Sequence, residues 1–278
     1  MTKTIVVTGA SDGIGLESAS QLAGQGHRLV LVGRNPAKVT AAVKRLQAET
    51  NGAEVDSYAC DFSRLEEVRR LGESLLASYP RIDVLVSNAG TVFDKRTLTA
   101  DGYEATFAVN HLAGFLLTET LLPRLREGAP TRIVTTASVG HYRGTMNFDD
   151  LGFERGYQIM RAYNRSKLAN VLYTRELARR LAGTGVTATT LHPGAVATNI
   201  WSGAPAFARP VLNLAKRIVM ISPAEGGARL TYLATGAQVE GANGGYYEKD
   251  KIKEPAKLAL DDAVGDRLVE VSRKMVGL

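Results

Sequence analysis

Cysteine is almost missing from this chain of 278 residues, in which Cys60 is the single one. An internal disulfide is therefore excluded, and a reducing compartment is indicated. The four histidines and the one cysteine show no metal-ligand spacing, so no metal site is predicted. Apolar runs that approach 18 residues are missing as well, and the first strand begins too near Met1 for a signal peptide. We therefore expect a soluble, cytoplasmic protein without a membrane span.

Clusters of one charge are absent too. The chain carries 34 Lys and Arg against 28 Asp and Glu, and the basic residues are spread without a run of five or six. This pattern is typical of a solvated surface and does not indicate nucleic-acid binding. The composition, with 45% hydrophobic and 22% charged residues, is that of a globular protein with a sizeable core. Because no linker or repeat interrupts the chain, we predict a single domain over residues 1–278.

What the chain does contain is an alternation of short apolar runs with amphipathic stretches. The predicted strands cover residues 4–9, 28–34, 54–61, 82–90, 131–138, 186–194 and, near the C-terminus, 244–251. Short apolar runs that are each followed by a helix are typical of parallel strands covered on both faces. The sequence therefore predicts an α/β fold, a doubly wound parallel sheet of the Rossmann type with helices on both faces.

Three of the predicted helices carry details that a structure can test. The helix over residues 63–79 has Ser63 in the position of an N-cap with Glu66 three residues on, which predicts a capping box. Long helices are predicted over residues 102–126 and 162–183. The carboxyl ends of parallel strands share one edge of the sheet, where ligands bind. We expect the unusual residues that end several strands to meet there.

The first strand runs into the glycine-rich stretch TGASDGIG, which contains Gly9, Gly13 and Gly15. Glycines between a strand and a helix allow a pyrophosphate to approach the backbone, and the helix N-terminus offers free N–H groups and a positive dipole. A glycine turn alone is a weak signal, but its place after the first strand strengthens it. The stretch predicts a dinucleotide site, to which we also assign Ser11, Asp12 and Ile14.

The end of the second strand indicates which dinucleotide is bound. An NAD site usually carries an acidic residue here, whereas this chain has Gly33 and Arg34. A guanidinium binds a 2′-phosphate through paired charged hydrogen bonds, so the sequence predicts NADP(H). The open alternative is that Arg34 is a surface arginine and the cofactor is NAD(H). Asp61, beside Phe62 at the end of the third strand, is placed either to accept from the adenine amino group or to support the turn at Ser63.

A second group of residues carries the predicted chemistry. Tyr163 and Lys167 are four residues apart and share one face of a helix. A nearby ammonium favours the phenolate, so we expect Lys167 to lower the pKa of Tyr163 and make it a general acid–base. Ser138 ends the preceding strand and is placed to donate to the same substrate oxygen. Asn110 stands among apolar residues of a helix, either as a member of this group or as a helix kink.

The order of these motifs resembles the short-chain dehydrogenase/reductase family along essentially the whole chain. The matching stretches are TGASDGIG, SNAG, VNHLAGFLLT, TTAS, YNRSK and LHPGAVAT. The stretches VNHLAGFLLTETLLPRL, NFDDL, AYNRSKLANVLYTRELARRL and HPGAVATNI are similar to its retinol dehydrogenase-like branch, which includes the WW-domain oxidoreductases and protochlorophyllide reductase. The chain departs from the family pattern at Ser87, where an asparagine is usual.

The resemblance implies roles for individual residues. Ser138, Tyr163 and Lys167 would form the catalytic triad, with Asn110 holding a water of the proton relay. The implied cofactor contacts are Gly9, Gly13, Gly15, Arg34, Asp61 and Asn88, with Ala89 and Gly90 beside them, Lys167 and Tyr163 at the nicotinamide ribose, and Pro193, Gly194, Val196 and Thr198 at the nicotinamide.

The remaining segments are expected to determine specificity. Residues 141–160 and 199–221 are placed to cover the substrate, and the second segment is either an apolar lid or a helix packed on the body. Tyr246 and Tyr247 are expected near the substrate mouth. The resemblance implies an NADP(H)-dependent oxidoreductase that interconverts a carbonyl and an alcohol on a small, lipophilic substrate. The alternatives are an NAD(H)-dependent dehydrogenase of the same fold and a non-catalytic NADP(H) sensor. Relatives are often dimers or tetramers, so a homo-oligomer is an open expectation.

Overall fold

The computed structural model describes residues 1–50, 52–195 and 221–278, which form one α/β layer structure around a central sheet. The sheet order is β3-β2-β1-β4-β5-β6-β7-β8. Strands β1 to β7 are parallel to their neighbours, and β8 pairs antiparallel with β7. The strands are β1 Thr4–Thr8, β2 Arg28–Gly33, β3 Val55–Ala59, β4 Val84–Ser87, β5 Thr131–Thr136, β6 Val186–His192, β7 Tyr246–Glu248 and β8 Lys251–Lys253. The predicted doubly wound sheet is confirmed.

Helices cover both faces of the sheet. The helices of the described residues are α1 Gly13–Gly24, α2 Pro36–Glu49, α3 Leu65–Ser78, α4 Ala105–Phe107, α5 Ala113–Glu127, α6 Ile159–Arg180, α7 Pro223–Thr235 and α8 Asp262–Val276. Residues of α1, α2 and α7 share one core cluster with the sheet, and residues of α3, α5, α6 and α8 share the other. Alternate residues of a strand reach opposite cores, as Val6 does on one side and Ile5 and Val7 do on the other.

The predicted capping box at Ser63 is wrong. Helix α3 begins at Leu65, and its N-cap residue Arg64 makes no side-chain capping bond. The Ser63 hydroxyl instead donates to Asp61 Oδ1 at 2.8 Å, which holds the turn before the helix. The Leu65 N–H donates to the carboxylate of Asp101 at 3.0 Å, so a residue distant in sequence caps this helix.

The predicted long helix over residues 102–126 is interrupted. Glu104 caps the short α4 by accepting from the N–H groups of Thr106 and Phe107. A π-helical segment, Ala108–Leu112, then leads into α5. Such segments are rare and frequently mark functional sites. The predicted last strand over residues 244–251 also divides, because Lys249 and Asp250 take left-handed backbone conformations and turn the chain from β7 into β8.

The π-helical segment contributes His111 to the interior. This side chain is 1% exposed, with its Nε2 2.9 Å from the Ser272 hydroxyl and its Nδ1 3.4 Å from Asn170 Oδ1. It therefore links the segment to α6 and α8. Burial lowers the pKa of His111 to about 4, and burial likewise lowers the pKa of His192, at the end of β6, to about 4.

These two histidines predict a loss of stability in mild acid. In the unfolded chain both would titrate near their ordinary value of about 6.5. Between about pH 6.5 and pH 4 the unfolded chain therefore binds more protons, and the free energy of unfolding falls by about 1.4 kcal/mol per pH unit for each histidine. Urea unfolding of the protein and of His111→Gln at pH 7, 6 and 5 checks this. The variant is expected to show the shallower pH dependence, and equal slopes would contradict the assignment.

Candidate active site

A cleft of about 1060 Å³ lies at the carboxyl edge of the strands. It is lined by most of the residues predicted for the site: Gly9, Ser11, Asp12, Gly13, Ile14, Arg34, Asp61, Phe62, Asn88, Ala89, Gly90, Ser138, Tyr163, Lys167, Pro193 and Gly194. Segment 141–160 contributes Tyr142, Arg143 and Met160 to the same lining. Val196, Thr198 and nearly all of segment 199–221 lie outside the described residues. The structure thus brings widely separated stretches to one place.

The glycines of the first turn have two different roles. Gly9 and Gly13 line the cleft and take φ values of +66° and +58°, which favour glycine. Gly15 does not line the cleft, which differs from the prediction that it contacts the cofactor. A Cβ atom at Gly15 would lie 2.3 Å from the Gly9 carbonyl oxygen and 2.6 Å from Asn88 Nδ2. Gly15 therefore lets α1 pack against the turn, and it shapes the site from behind.

Asn88 joins three strand ends below the cleft. Its side-chain Nδ2 donates to the Thr8 carbonyl at 3.0 Å, and its Oδ1 accepts from the Thr136 hydroxyl at 3.1 Å. The Thr8 hydroxyl oxygen accepts from the N–H groups of Asn88 and Ala89 at 2.9 and 3.0 Å. Both ends of the Asn88 amide are thus used within the protein, and the residue determines how β1, β4 and β5 meet.

The far end of the cleft is basic. Arg34 and Lys38 are exposed there, and Lys38 forms an ion pair of 3.2 Å with Asp12, which also accepts from the Gly13 N–H as the N-cap of α1. A Cβ atom at Gly33 would lie 2.8 Å from both Ser11 Oγ and Val39 Cγ2, so a larger residue here would require these side chains to shift. The Lys38 ammonium therefore neutralises the charge of Asp12, which is the one carboxylate in the glycine turn.

Asp61 serves the turn and lines the cleft as well. Its Oδ1 accepts from the N–H and the hydroxyl of Ser63, while its own N–H donates to Glu67. Both alternatives predicted for this residue are therefore compatible with its position.

The reactive side chains meet at the other end of the cleft. Tyr163, Ser138 and Lys167 are 7%, 9% and 2% exposed, and the Ser138 hydroxyl hydrogen-bonds the Tyr163 phenol. The Lys167 ammonium donates to the Thr136 carbonyl at 3.1 Å and lies 5.7 Å from the centroid of the Tyr163 ring. Helix α6 positions the phenol and the ammonium, and the end of β5 positions the hydroxyl.

Burial dominates the acidity of this group. It raises the pKa of Tyr163, and the Ser138 hydrogen bond opposes that rise only in part. Burial also lowers the pKa of Lys167 to about 8. The predicted lowering of the Tyr163 pKa is therefore wrong for the protein's own groups, because desolvation of the phenolate outweighs the hydrogen bond from Ser138.

Asn110 stands in the π-helical segment next to this group. Its Oδ1 accepts from the Thr91 N–H at 2.7 Å, and its Nδ2 donates to the Thr91 carbonyl and to the Ser166 hydroxyl, both at 3.0 Å. A Cβ atom at Gly90 would lie 3.2 Å from Asn110 Oδ1 and 3.4 Å from Lys167 Nζ. A glycine at position 90 therefore lets these two side chains approach each other. Asn110 itself does not line the cleft.

His141 supports the turn that carries Ser138, and no sequence pattern indicated this. It is fully buried, with its Nδ1 2.7 Å from the Ser138 carbonyl oxygen. Its Nε2 accepts from the Ala256 N–H at 3.1 Å, so Nδ1 is the nitrogen that carries the proton and donates to Ser138. Burial lowers the pKa of His141, which keeps the ring neutral as this arrangement requires.

The expectation that Tyr246 and Tyr247 lie at the substrate mouth is wrong. They are 2% and 4% exposed and belong to opposite cores, because successive residues of β7 point to opposite faces of the sheet. The Tyr246 ring packs against His141 with 4.5 Å between ring centroids, and its hydroxyl donates to Glu248. Neither tyrosine lines the cleft.

No group of three His, Cys, Asp or Glu side chains among residues 1–50, 52–195 and 221–278 is arranged to hold a metal ion. None of the helices within these ranges combines the length and apolar character that crossing a membrane requires.

The chain is similar to known proteins over nearly all of its length. A family model described as short chain dehydrogenase matches residues 3–207. Retinol dehydrogenase 14 of Mus musculus is 41% identical, over 99% of this chain and 86% of its own length. DnrU of Streptomyces sp. (strain C5), named as a candidate daunorubicin C-13 ketoreductase, is 40% identical over 99% of this chain and 93% of its own. A crystal structure of a Mycobacterium paratuberculosis protein superposes with a TM-score of 0.80 at 30% identity, covering 99% of this chain and 93% of that one.

The contact behind Gly15 can be tested with a matched pair of variants in α1. Gly15→Ala is expected to lower the free energy of unfolding by about 1–3 kcal/mol, because its Cβ overlaps backbone that cannot move freely. Gly24→Ala, where a Cβ meets no atom within 4 Å, is expected to leave stability unchanged or to raise it by about 0.5–1 kcal/mol. Urea unfolding measures both, and equal effects would contradict the proposed packing role.

Proposed function

The chain belongs to the short-chain dehydrogenase family and its retinol dehydrogenase-like branch, and from that premise we propose that it is an NADP(H)-dependent oxidoreductase. It interconverts a carbonyl and an alcohol on a small, lipophilic substrate. The observation that carries this proposal is the meeting of the Ser138 hydroxyl, the Tyr163 phenol and the Lys167 ammonium at one end of the cleft.

The proton chemistry follows from the burial of these groups. The raised pKa keeps the Tyr163 phenol protonated near neutral pH, as a proton donor to a carbonyl oxygen must be. Ser138 donates a hydrogen bond that orients the same oxygen. Once the phenol has given up its proton, the Lys167 ammonium, with a pKa of about 8, is the stronger acid and restores it. Asn110 donates hydrogen bonds to Thr91 and Ser166, and it thereby orders the proton path beside Lys167.

The nicotinamide cofactor supplies the hydride. The cleft suits such a cofactor because Gly9 and Gly13 expose backbone without side chains in its wall. A larger residue at position 9 would not fit, because its Cβ atom would crowd Ala89 and Asn88. The residues that would hold it are Gly9, Ser11, Asp12, Gly13, Ile14, Arg34, Asp61, Phe62, Asn88, Ala89, Gly90, Pro193 and Gly194, with Tyr163 and Lys167 at the ribose and Val196 and Thr198 from the sequence alone.

The preference for NADP(H) is supported by charge at the basic end. Arg34 is exposed in the lining and suits a 2′-phosphate. Lys38 adds a second cation and neutralises Asp12. The end of β2 carries no carboxylate.

A lipophilic substrate is supported by the opposite mouth of the cleft. Val139, Tyr142 and Met160 line it and are 52%, 42% and 47% exposed, which is unusual for large apolar side chains. Phe93 joins them in the lining. The names of the relatives, retinol dehydrogenase and daunorubicin ketoreductase, point to lipophilic compounds as well.

The role of Tyr163 is tested by removing its hydroxyl. Tyr163→Phe is expected to lower kcat for NADPH-dependent ketone reduction by about 10²–10⁴-fold, since the general acid is lost. NADPH binding, followed by fluorescence, is expected to remain within about three-fold. Tyr58→Phe, whose hydroxyl contacts Ser78 away from the cleft, is the control and should keep its activity. Turnover retained in Tyr163→Phe would remove the proposed donor.

The cofactor preference is tested at the basic end of the cleft. Arg34→Asp is expected to weaken NADPH binding by about ten- to a hundred-fold, the equivalent of a charged hydrogen bond, and to spare NADH. Calorimetric titration with both cofactors measures this. The same change at the exposed Arg126, in the last turn of α5, is the control. An equal effect on both cofactors would argue against a 2′-phosphate site.

A further inference from the structure

Four asparagine carboxamides stand around the reactive end of the cleft, and three of them are fully paired. Asn88, Asn110 and Asn170 each use both the oxygen and the nitrogen of the amide in hydrogen bonds within the protein. Asn164 is different. It is 7% exposed, its buried Oδ1 has no partner, and its Nδ2 makes no hydrogen bond with any residue that the structure describes.

The unpaired amide lies beside the catalytic group. Asn164 follows Tyr163 in α6 and lines the cleft. A Cβ atom at Gly140 would lie 2.4 Å from Asn164 Oδ1 and 3.5 Å from Tyr163 Cε1, and the Gly140 N–H donates to the Ser138 hydroxyl at 3.2 Å. Gly140 is thus the common neighbour of the hydroxyl, the phenol ring and the amide. A group bound between Ser138 and Tyr163 therefore has the Asn164 amide close beside it.

Leaving this amide unpaired costs stability. A buried polar group without a partner is disfavoured relative to an apolar side chain of the same size, and native proteins pair most of them. The three neighbouring asparagines are paired, so Asn164 is the exception at this end of the cleft. Its Oδ1 is enclosed by protein, so a bound molecule would complete the amide through Nδ2.

We propose that the Asn164 carboxamide hydrogen-bonds a second oxygen of the substrate, close to the reactive carbonyl. The preferred substrates are then hydroxyketones or diketones on a lipophilic frame, and simple ketones are poorer. The amide nitrogen suits both kinds, because it can donate to a carbonyl oxygen or to a hydroxyl oxygen, and no bond to the buried Oδ1 is needed. This inference rests on the proposed function, since it names the substrate class of the same site.

The test compares three ketones of one chain length. With NADPH, kcat/KM is measured for 2-hexanone, 2,3-hexanedione and 3-hydroxy-2-hexanone, and each oxygenated compound is expressed as a ratio to 2-hexanone. Asn164→Leu, which keeps the volume and removes the polar atoms, is expected to lower both ratios about ten-fold. Gln47→Leu, at an exposed amide of α2 outside the cleft lining, is the control and should leave them unchanged. Ratios unaffected by Asn164→Leu would overturn the proposal.

Calorimetry separates this inference from the proposed function. Absence of NADPH oxidation with all three ketones would count against the proposed function. Binding of 3-hydroxy-2-hexanone to the complex of the protein with NADP⁺ is then measured directly. Weaker binding to Asn164→Leu supports the role of the amide, and equal binding, or no binding to the unaltered protein, overturns it. A rise in Tm of Asn164→Leu without ligand is expected because the unpaired group is removed, and it shows that the variant folds.

Discussion

The carbonyl oxygen of Thr136, the last residue of β5, holds the reactive end of the cleft together. It accepts hydrogen bonds from Lys167 Nζ and from Asn170 Nδ2, both on α6. The hydroxyl of the same threonine donates to Asn88, which in turn joins β4 to β1. One residue therefore connects α6 to the centre of the sheet. The buried ammonium has few other means of satisfying its charge, so α6 is positioned by the same bonds that make Lys167 tolerable in the interior.

Burial shifts the pKa values of Tyr163 and Lys167 in opposite directions. It disfavours the charged form of each group, so the phenol becomes a weaker acid and the ammonium a stronger one. Burial is the largest cause of both shifts, so no additional charged group is needed to produce them. The packing of α6 against the sheet, which stabilises the fold, also sets the relative acidities of Lys167 and Tyr163.

Much of this arrangement could be predicted from the sequence because it follows from periodicity and spacing. Apolar runs predicted the strands, and the four-residue spacing of Tyr163 and Lys167 predicted that they share a face. The capping box predicted at Ser63 failed in part because of a contact between distant residues. Asp101 reaches the N-terminus of α3 and Asp61 holds Ser63, so the local capping pattern does not form. The anchoring of the Ser138 turn by His141 requires Ala256, which is 115 residues away, and no local pattern records it.

The last strand of the sheet, β8, forms an edge at which another chain could pair. Strand β8 is exposed along its length, and its one apolar residue, Ile252, is 68% exposed between Lys251 and Lys253. A row of unpaired backbone groups would otherwise be a template for the edge of another chain. Any strand that extended the sheet here would have to approach two ammonium groups and remove their water. The two lysines of β8 therefore disfavour pairing with another chain, while Ile252 stays outside the core.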